Sequence, residues 1–457
     1  MDYDIIVLGG GPGGYVAAIK AAQMNAKTAI IEMGNFGGVC LNWGCIPTKT
    51  LLKSAKVYQY ILNSSKYGID IDDLSNVNIN WEKMLQRKKD VVKKLTSGVE
   101  FLLKNNKVDI YRGFGNVIDK NSIEVNGNRL SCKNIILSTG SSPNIPEIPG
   151  VKDGLKSGFV ITSKEALELL KIPEKLVILG GGVIGVEFAT LYSSLGTKVT
   201  IIQNMDRILE FMDHDVINEM EDILLGLGVE ILYNTSIVKV NKTDLTIKDK
   251  DGERDIDADN LLISIGRYAN MKGLEKLNLE TYRRGVKTNE KLETNIPGVY
   301  AIGDLNGVFN LAHVASAEGI IAVENIMGED KKIDYRKAPN CIYSFPEMAA
   351  VGYNEVDARN KFKDIIVSKL PLSANGKALA EGESTGFIKI IADKEYGEII
   401  GVHIIAPTAT DMVSEIVTTM ELEGTIYDVA RVIHPHPTIS ELVMEAAHGA
   451  VHKNKDT

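Results

Sequence analysis

Residues 4–14 read Asp4-Ile5-Ile6-Val7-Leu8-Gly9-Gly10-Gly11-Pro12-Gly13-Gly14, an apolar strand run that stops on a glycine turn and opens an alanine-rich helix. A second strand run follows and ends on Glu32. The plan recurs at 175–203: a strand from Lys175 to Leu179, the turn Gly180-Gly181-Gly182-Val183-Ile184-Gly185, a helical stretch to Leu195, and a strand from Thr197 to Gln203. In such a strand–turn–helix unit the spacing Gly-x-Gly-x-x-Gly has a mechanical meaning. The first glycine permits a tight turn, the second lets a pyrophosphate approach the backbone, and the third lets the helix pack on its strand. The phosphates then rest on the positive end of the helix. One such unit says little. Two in one chain, on Gly9, Gly11 and Gly14 and on Gly180, Gly182 and Gly185, predict two Rossmann-like dinucleotide-binding units.

The residue closing the second strand of each unit faces the ribose. Glu32 can accept hydrogen bonds from ribose hydroxyls. Gln203 holds the corresponding place in the second unit; it can bond a hydroxyl without a carboxylate's charge and would repel a 2′-phosphate less. No arginine follows at once to grip that phosphate, and Arg207 is the nearest. With glycine rather than alanine third in the turn, the second unit is expected to take NAD in preference to NADP.

The chain has 457 residues, enough for about three or four domains. A formal charge of -9 argues against nucleic acid or an anionic membrane as partner. No run approaches the roughly 18 apolar residues of a membrane span. The N-terminus enters a strand at once, without the basic start and apolar run of a secretory signal, so a cytoplasmic location is expected. Between the two units lie a helical stretch around 81–103 and β-like runs over 108–137, and a proline-rich crossing at 142–150 leads into the second unit. That unit ends on an alternating strand, 261–265, closed by Gly266. After a connecting region to about Arg336, strands at 386–392 and 399–405 and helices at 411–423 and 440–448 read as an α+β domain with a frayed end. The expected fold is α/β, with boundaries at 1–145, 146–268, 269–336 and 337–457.

Four cysteines occur, Cys40, Cys45, Cys132 and Cys341, too few for a secreted disulfide framework. The first two lie in Gly37-Gly38-Val39-Cys40-Leu41-Asn42-Trp43-Gly44-Cys45-Ile46-Pro47-Thr48-Lys49. Positions five apart in a regular helix are roughly 8.6 Å apart, and a disulfide needs less than about 7 Å. A bridge therefore demands a distorted turn, which Gly44 and Pro47 suit. The rival use, metal binding, needs further Cys or His ligands, and no second close pair exists. A redox pair is the stronger reading.

Near the C-terminus stands His434-Pro435-His436-Pro437-Thr438-Ile439-Ser440-Glu441. Thiol exchange near neutral pH needs a base of matching pKa, which histidine supplies. A carboxylate on the other ring nitrogen would orient it. Thr438-x-x-Glu441 is also a capping box, in which Glu441 serves only the helix start. The local sequence favours that simpler role.

The 37–49 stretch resembles the active site of the pyridine nucleotide–disulfide oxidoreductases, and 41–49 is most similar to that family's dihydrolipoamide dehydrogenases. The resemblance covers essentially the whole chain. It implies that Cys40 exchanges with substrate while Cys45 contacts a flavin, and that Lys49 lies near the flavin ring and pairs with Glu187. It also implies FAD at the first unit. Ser138-Thr139-Gly140-Ser141 resembles the family's Ala-Thr-Gly signature, with serine for alanine. Tyr300-Ala301-Ile302-Gly303-Asp304 is similar to the second FAD fingerprint, whose aspartate binds the ribityl chain. Leu311, Ala312 and His313 would lie under the flavin, and Gly115 would touch the adenosine half. Ile265-Gly266-Arg267 resembles the end of the NAD domain, with Ala269 where proline is usual.

The resemblance further makes His436 the base and Glu441 its partner, and leaves His434 structural; Pro435 departs from the commoner small residue. In this family the histidine reaches the disulfide of the other subunit, which implies a homodimer held by the C-terminal domain. The implied reaction is oxidation of protein-bound dihydrolipoamide with reduction of NAD. The carrier would be the lipoyl domain of a 2-oxo acid dehydrogenase, glycine cleavage or acetoin dehydrogenase complex. Glutathione reductase, which resembles Cys-Val-Asn-Val-Gly-Cys at the disulfide, is the nearest rival. Mercuric and large thioredoxin reductases carry an extra pair near the C-terminus, which residues 451–457 lack. A non-catalytic flavin-binding scaffold would not need Cys40, Cys45 and His436 together.

Overall fold

Each glycine turn hangs from the central strand of a parallel sheet. Strand Tyr3–Leu8 lies between Thr28–Glu32 and Asn128–Leu137, parallel to both; Asp109–Arg112 extends one edge and Val299–Ala301 the other. In the second unit Lys175–Leu179 lies between Lys198–Ile202 and Asn260–Ile263, with Glu230–Leu232 and Val160–Ile161 at the edges. Four strands follow the same order in both sheets, so the sequence repeat is a structural repeat; the fifth, Val299–Ala301, follows the others in the chain in the first sheet, whereas Val160–Ile161 precedes them in the second. Ile5, Ile6 and Val7, and likewise Leu176, Val177 and Ile178, are buried in continuous runs, as expected for strands covered on both faces. Each unit also carries a three-stranded antiparallel meander: Gly115–Asp119, Ser122–Val125 and Asn128–Leu137 in the first, Ser236–Val240, Asp244–Asp249 and Gly252–Asp257 in the second. The structure, a computed structural model, describes residues 1–455.

Strand Val299–Ala301 completes the first sheet from a part of the chain that follows the second unit. It delivers the short turn Gly303–Leu305 and the helix Ala312–Ile326 to the first glycine turn. That helix crosses Pro12–Gln23 closely: a Cβ on Gly319 would meet the Gly13 carbonyl oxygen at 2.6 Å.

The C-terminal sheet is antiparallel, in the order Asn340–Ile342, Glu347–Gly352, Ile399–Ala406, Phe387–Asp393, Ile365–Pro371. Helices Ala409–Glu421 and Glu441–Lys455 pack on it. The last helix runs to Lys455, well past the expected end at 448; beyond that point Ala450 stays buried, Val451 packs against the same core and Lys453 donates to the Val367 carbonyl at 2.8 Å. The expected frayed end is thus helical to Lys455, and Asp456 and Thr457 lie outside the described residues. Among the described residues no helix is long and apolar enough to cross a membrane.

One apolar core joins all three parts. Leu51, Leu52 and Ala55 of helix Cys45–Leu62 pack with Ile178, Phe188 and Tyr192 of the second unit and with Ile342, Met348 and Phe387 of the C-terminal sheet. The helix that begins on Cys45 is therefore buried through its first half, from Pro47 to Ala55.

A buried ionic cluster ties the second unit to the C-terminal sheet. Lys389, 4% exposed, reaches Asp213 at 2.8 Å, Asp215 at 2.7 Å and Glu355 at 3.0 Å. Burial opposes its charge, but the three carboxylates outweigh it and hold the ammonium above its usual range. Removing one member of such a buried set strands the others. Lys389→Met should lower stability by about 3–5 kcal/mol in urea unfolding; a loss under about 1 kcal/mol would show a solvent-screened cluster.

Candidate functional site

The two turns are shaped for a dinucleotide. Gly9 has φ +105°, and a Cβ there would stand 2.1 Å from the Ser138 carbonyl oxygen; one on Gly14 would stand 1.8 Å from that of Gly9. A Cβ on Gly185 would likewise sit 2.1 Å from the Gly180 oxygen. The middle glycines differ: Gly11 meets only the Gly38 Cα, at 3.8 Å, and Gly182 meets nothing within 4 Å. First and third positions are closed by backbone while the second is open to a ligand. No side chain caps either following helix, so their first-turn N–H groups stay available to phosphate oxygens. These residues fit dinucleotides.

Glu32 accepts from the backbone N–H of Gly10 at 2.7 Å and of Gly34 at 2.6 Å, beside the first turn. Gln203 takes the same place in the second: Oε1 accepts from the Gly181 N–H at 3.2 Å and Nε2 donates to the Arg207 carbonyl at 2.9 Å. Arg207 is spent on Asp206, through bonds of 2.9 and 3.0 Å.

The cysteines stand where one helix breaks into the next. Helix Gly38–Trp43 ends and Cys45–Leu62 begins at Gly44, with φ −137° and ψ −111°. A Cβ on Gly44 would stand 2.9 Å from the Val39 carbonyl oxygen, so the break needs glycine. This is the distorted turn that the spacing demands. Cys40 and Cys45 are half-buried free thiols within hydrogen-bond reach of each other. Cys45 is held below the ordinary thiol range, first by the hydrogen bond from Cys40 and then by the Lys49 ammonium, against burial and the Glu187 charge. Cys40, as the donor, is pushed up, and burial adds to the shift. A cysteine at a helix start beside a lysine is set up as a thiolate. Among the described residues no group of three or more His, Cys, Asp and Glu could hold a metal ion.

Lys49, one turn further on, bonds both oxygens of Glu187 at 2.8 and 2.9 Å and lies 4.3 Å from the centroid of the Tyr343 ring. Glu187 also accepts from the Tyr343 N–H at 3.1 Å. Three distant segments therefore fix one ammonium near the thiols.

Around the Gly303–Leu305 turn, Asp304 accepts from the Ser141 hydroxyl and stands 3.7 Å from Arg267. Arg267 in turn donates to the Ser141 hydroxyl and carbonyl, each at 2.6 Å. Burial pushes the Asp304 carboxyl up, with Ser141 and Arg267 pulling it down. Thr139 donates to the Asn270 carbonyl at 2.7 Å, beside Gly140. Leu311, Ala312 and His313 form the start of helix Ala312–Ile326; burial lowers the His313 pKa and its Nε2 bonds the Pro339 carbonyl at 2.8 Å. Gly266, at φ +96°, closes the second sheet against Arg284. Gly115 is packed among Leu8, Ile31 and Ile123, where a Cβ would meet Leu8 at 2.5 Å. The sequence alone missed the link of Arg267 to Ser141 and the pairing of Asn270 with Thr139. Partners about 130 positions apart leave no local signal.

His436 bonds Glu441 Oε1 through Nδ1 at 2.9 Å, and Glu441 Oε2 accepts from the Thr438 N–H at 2.9 Å. The carboxylate thus serves both functions, one oxygen each. The capping box is only half made: the Thr438 hydroxyl donates to the Pro435 carbonyl, and the helix begins at Glu441 itself. The Thr438 N–H and His436 hold Glu441 below the usual carboxylate range. His434 is structural, bonded to the Val432 carbonyl and to Glu415 at 2.9 Å. The His436 side chain is 79% exposed, and among the described residues no hydrogen bond or ion pair joins it to Cys40 or Cys45.

Residues 3–319 match the family described as pyridine nucleotide-disulphide oxidoreductase, and residues 338–447 match its dimerisation domain. Similar curated proteins include the dihydrolipoyl dehydrogenase of Mycoplasma genitalium, 42% identical over 99% of both chains. That of Bacillus subtilis is 42% identical over 98% of this chain and 97% of its own. That of Acholeplasma laidlawii is 52% identical over 71% of this chain and 96% of its own. Among solved structures, the HOCl-induced flavoprotein disulfide reductase RclA from Escherichia coli superimposes with a TM-score of 0.87 at 26% identity, covering 98% of this chain and 99% of that one.

The ion pair beside the thiols can be probed directly. Lys49→Met removes the cation that favours the Cys45 thiolate and leaves Glu187 to oppose it. The pH midpoint for alkylation of the reduced protein by iodoacetamide should move upward; an unmoved midpoint would show that Lys49 does not act on the sulfur.

Proposed function

The chain belongs to the pyridine nucleotide-disulphide oxidoreductase family, and we propose that it acts as a dihydrolipoyl dehydrogenase, oxidising dihydrolipoyl groups carried on a protein and reducing NAD. What carries the reading is the pair of touching thiols at a broken helix, one favoured as thiolate, beside the fixed Lys49–Glu187 ion pair. The cofactors are FAD and NAD. FAD would be held by Gly9, Gly11, Gly14, Glu32, Gly115, Thr139, Gly140, Ser141, Asp304 and the start of helix Ala312–Ile326. NAD would be held by Gly180, Gly182, Gly185, Gln203 and Gly266. Bound FAD supplies the two-electron path between the dithiol and the nicotinamide.

The chain's own residues handle the sulfur and the protons. His436 takes the proton of one substrate thiol, and Glu441, kept ionised, orients and stabilises the imidazolium. The substrate thiolate attacks Cys40 of the oxidised pair; a mixed disulfide forms and Cys45 leaves as a thiolate, stabilised by Lys49. The second substrate thiol then attacks the first sulfur and the substrate disulfide closes; its proton passes to the departing Cys40 sulfur, while the first proton stays on the His436 imidazolium.

Because the exposed His436–Glu441 pair has no bond to the cysteines within one chain, we assign it to the site of a second copy. The protein is then a homodimer, built through the dimerisation domain at 338–447. Its substrate is the lipoyl domain of a 2-oxo acid dehydrogenase, glycine cleavage or acetoin dehydrogenase complex, in the cytoplasm, where thiols stay reduced. The same reading divides the chain at 1–145, 146–268, 269–336 and 337–457.

Steady-state assays should show turnover of dihydrolipoamide with NAD, and little with NADP or with glutathione disulfide as acceptor; preference for glutathione would reject the assignment. Cys40→Ser should abolish lipoamide turnover, and His436→Gln should cut it on the order of 100-fold or more. Reassociating the two inactive variants should recover activity, since a mixed dimer keeps one intact site. Failure to recover would refute the shared site.

A further inference from the structure

Glu318 is fully buried, at 0% exposure, on helix Ala312–Ile326. Among the described residues no lysine or arginine forms an ion pair with it; three hydrogen-bond donors converge on it instead. Oε2 accepts from the backbone N–H of Gly303, and Oε1 accepts from the Asn306 amide at 2.8 Å and the Tyr335 hydroxyl at 2.6 Å. Gly303 and Asn306 bracket the turn that carries Asp304. Asp304 itself points to Ser141 and Arg267. The turn is thus gripped from two sides, by its carboxylate on one and by its backbone on the other.

We propose that Glu318 is a positioning residue of the first nucleotide site: as a carboxylate it fixes the turn that presents Asp304 to the ribityl chain of FAD, and when protonated it loosens that hold. This rests on the assignment of FAD to that site. The chemistry of the three donors gives the sign. An ionised carboxylate has lone pairs for all of them, and its charge strengthens each bond. A protonated one must point its hydrogen at a partner. The Gly303 N–H cannot reverse, and Asn306 Oδ1 already accepts from the Val308 N–H at 3.0 Å, which keeps its amide aimed at Glu318. Only the Tyr335 hydroxyl, on a ring stacked 5.5 Å from Phe309, can turn and accept. The neutral state survives in that one arrangement, without charge assistance at Gly303.

The surroundings put this change within reach of ordinary pH. Burial first, and then the nearby Asp304, push Glu318 up to about 7, against the pull of Tyr335, Asn306 and Gly303. Asp304 faces it from the turn and Tyr335 from the segment Tyr335–Lys337. The opposing helix Pro12–Gln23 presents Gly13 and Ala17 at the close crossing, and its Lys20 is paired with Glu324 further along. On the same helix His313 is tied to Pro339, and Arg267 is held at Asp304.

The test is FAD release from the holoenzyme, followed by the fluorescence of free flavin across pH values on either side of 7. Release from the wild type should accelerate as the pH falls through about 7. Glu318→Gln should release FAD about tenfold faster at the alkaline end and lose the pH step. Tyr335→Phe removes one of the three donors to the ionised carboxylate, so FAD should leave faster than from the wild type at the alkaline end; this arm decides the matter if the glutamine variant does not fold. A wild type without a step, a step surviving in Glu318→Gln, or an unchanged alkaline release in Tyr335→Phe would each overturn the proposal. A protein that takes up no FAD would overturn the assignment of the first site as well.

Discussion

A regular helix cannot bring two residues five positions apart into contact, and the chemistry of this protein begins where that constraint is broken. At Gly44 one helix stops and another starts, and Cys40 meets Cys45 across the break. Only a residue without a Cβ fits against the Val39 carbonyl there. The second helix gains a cysteine at its positive end, and the pair gains an asymmetry: one thiol donates and the other is favoured as thiolate. A redox couple needs that distinction if one sulfur is to exchange with substrate while the other passes electrons on.

Such a break would be soft if it were exposed. Here helix Cys45–Leu62 is packed into a core shared with the second nucleotide unit and the C-terminal sheet. The bond between Lys49 and Glu187 pins it further. Glu187 lies on the helix that follows the second glycine turn, so the same side chain belongs to the frame of one nucleotide site and steadies the ammonium beside the thiols. The thiol site and the helix of the second glycine turn are thus joined through one ion pair.

Much of this was legible in the linear chain. The glycine turns with Glu32 and Gln203 marked both parallel sheets, because strand and helix periodicity and turn chemistry are local properties. The Cys40–Cys45 spacing marked a distorted turn for the same reason. The two competing readings of Glu441 were also visible, and its two oxygens make a bond toward each, one to His436 and one to the Thr438 N–H. The last helix was underestimated, since its extension to Lys455 rests on contacts of Ala450, Val451 and Lys453 with the C-terminal sheet that no local pattern marks.

By itself, then, the sequence determined the repeat, the nucleotide turns and the redox pair, each written within some thirty consecutive residues. Tertiary structure alone decided which distant side chains serve the turn at 303–305: Arg267 and Ser141 for Asp304, and Glu318 for the Gly303 N–H and the Asn306 amide. These partners meet only because strand Val299–Ala301 returns to the first sheet after the second unit is complete. A buried carboxyl is selected by donors that folding brings to it in space, and nothing in the neighbouring residues records where those donors come from.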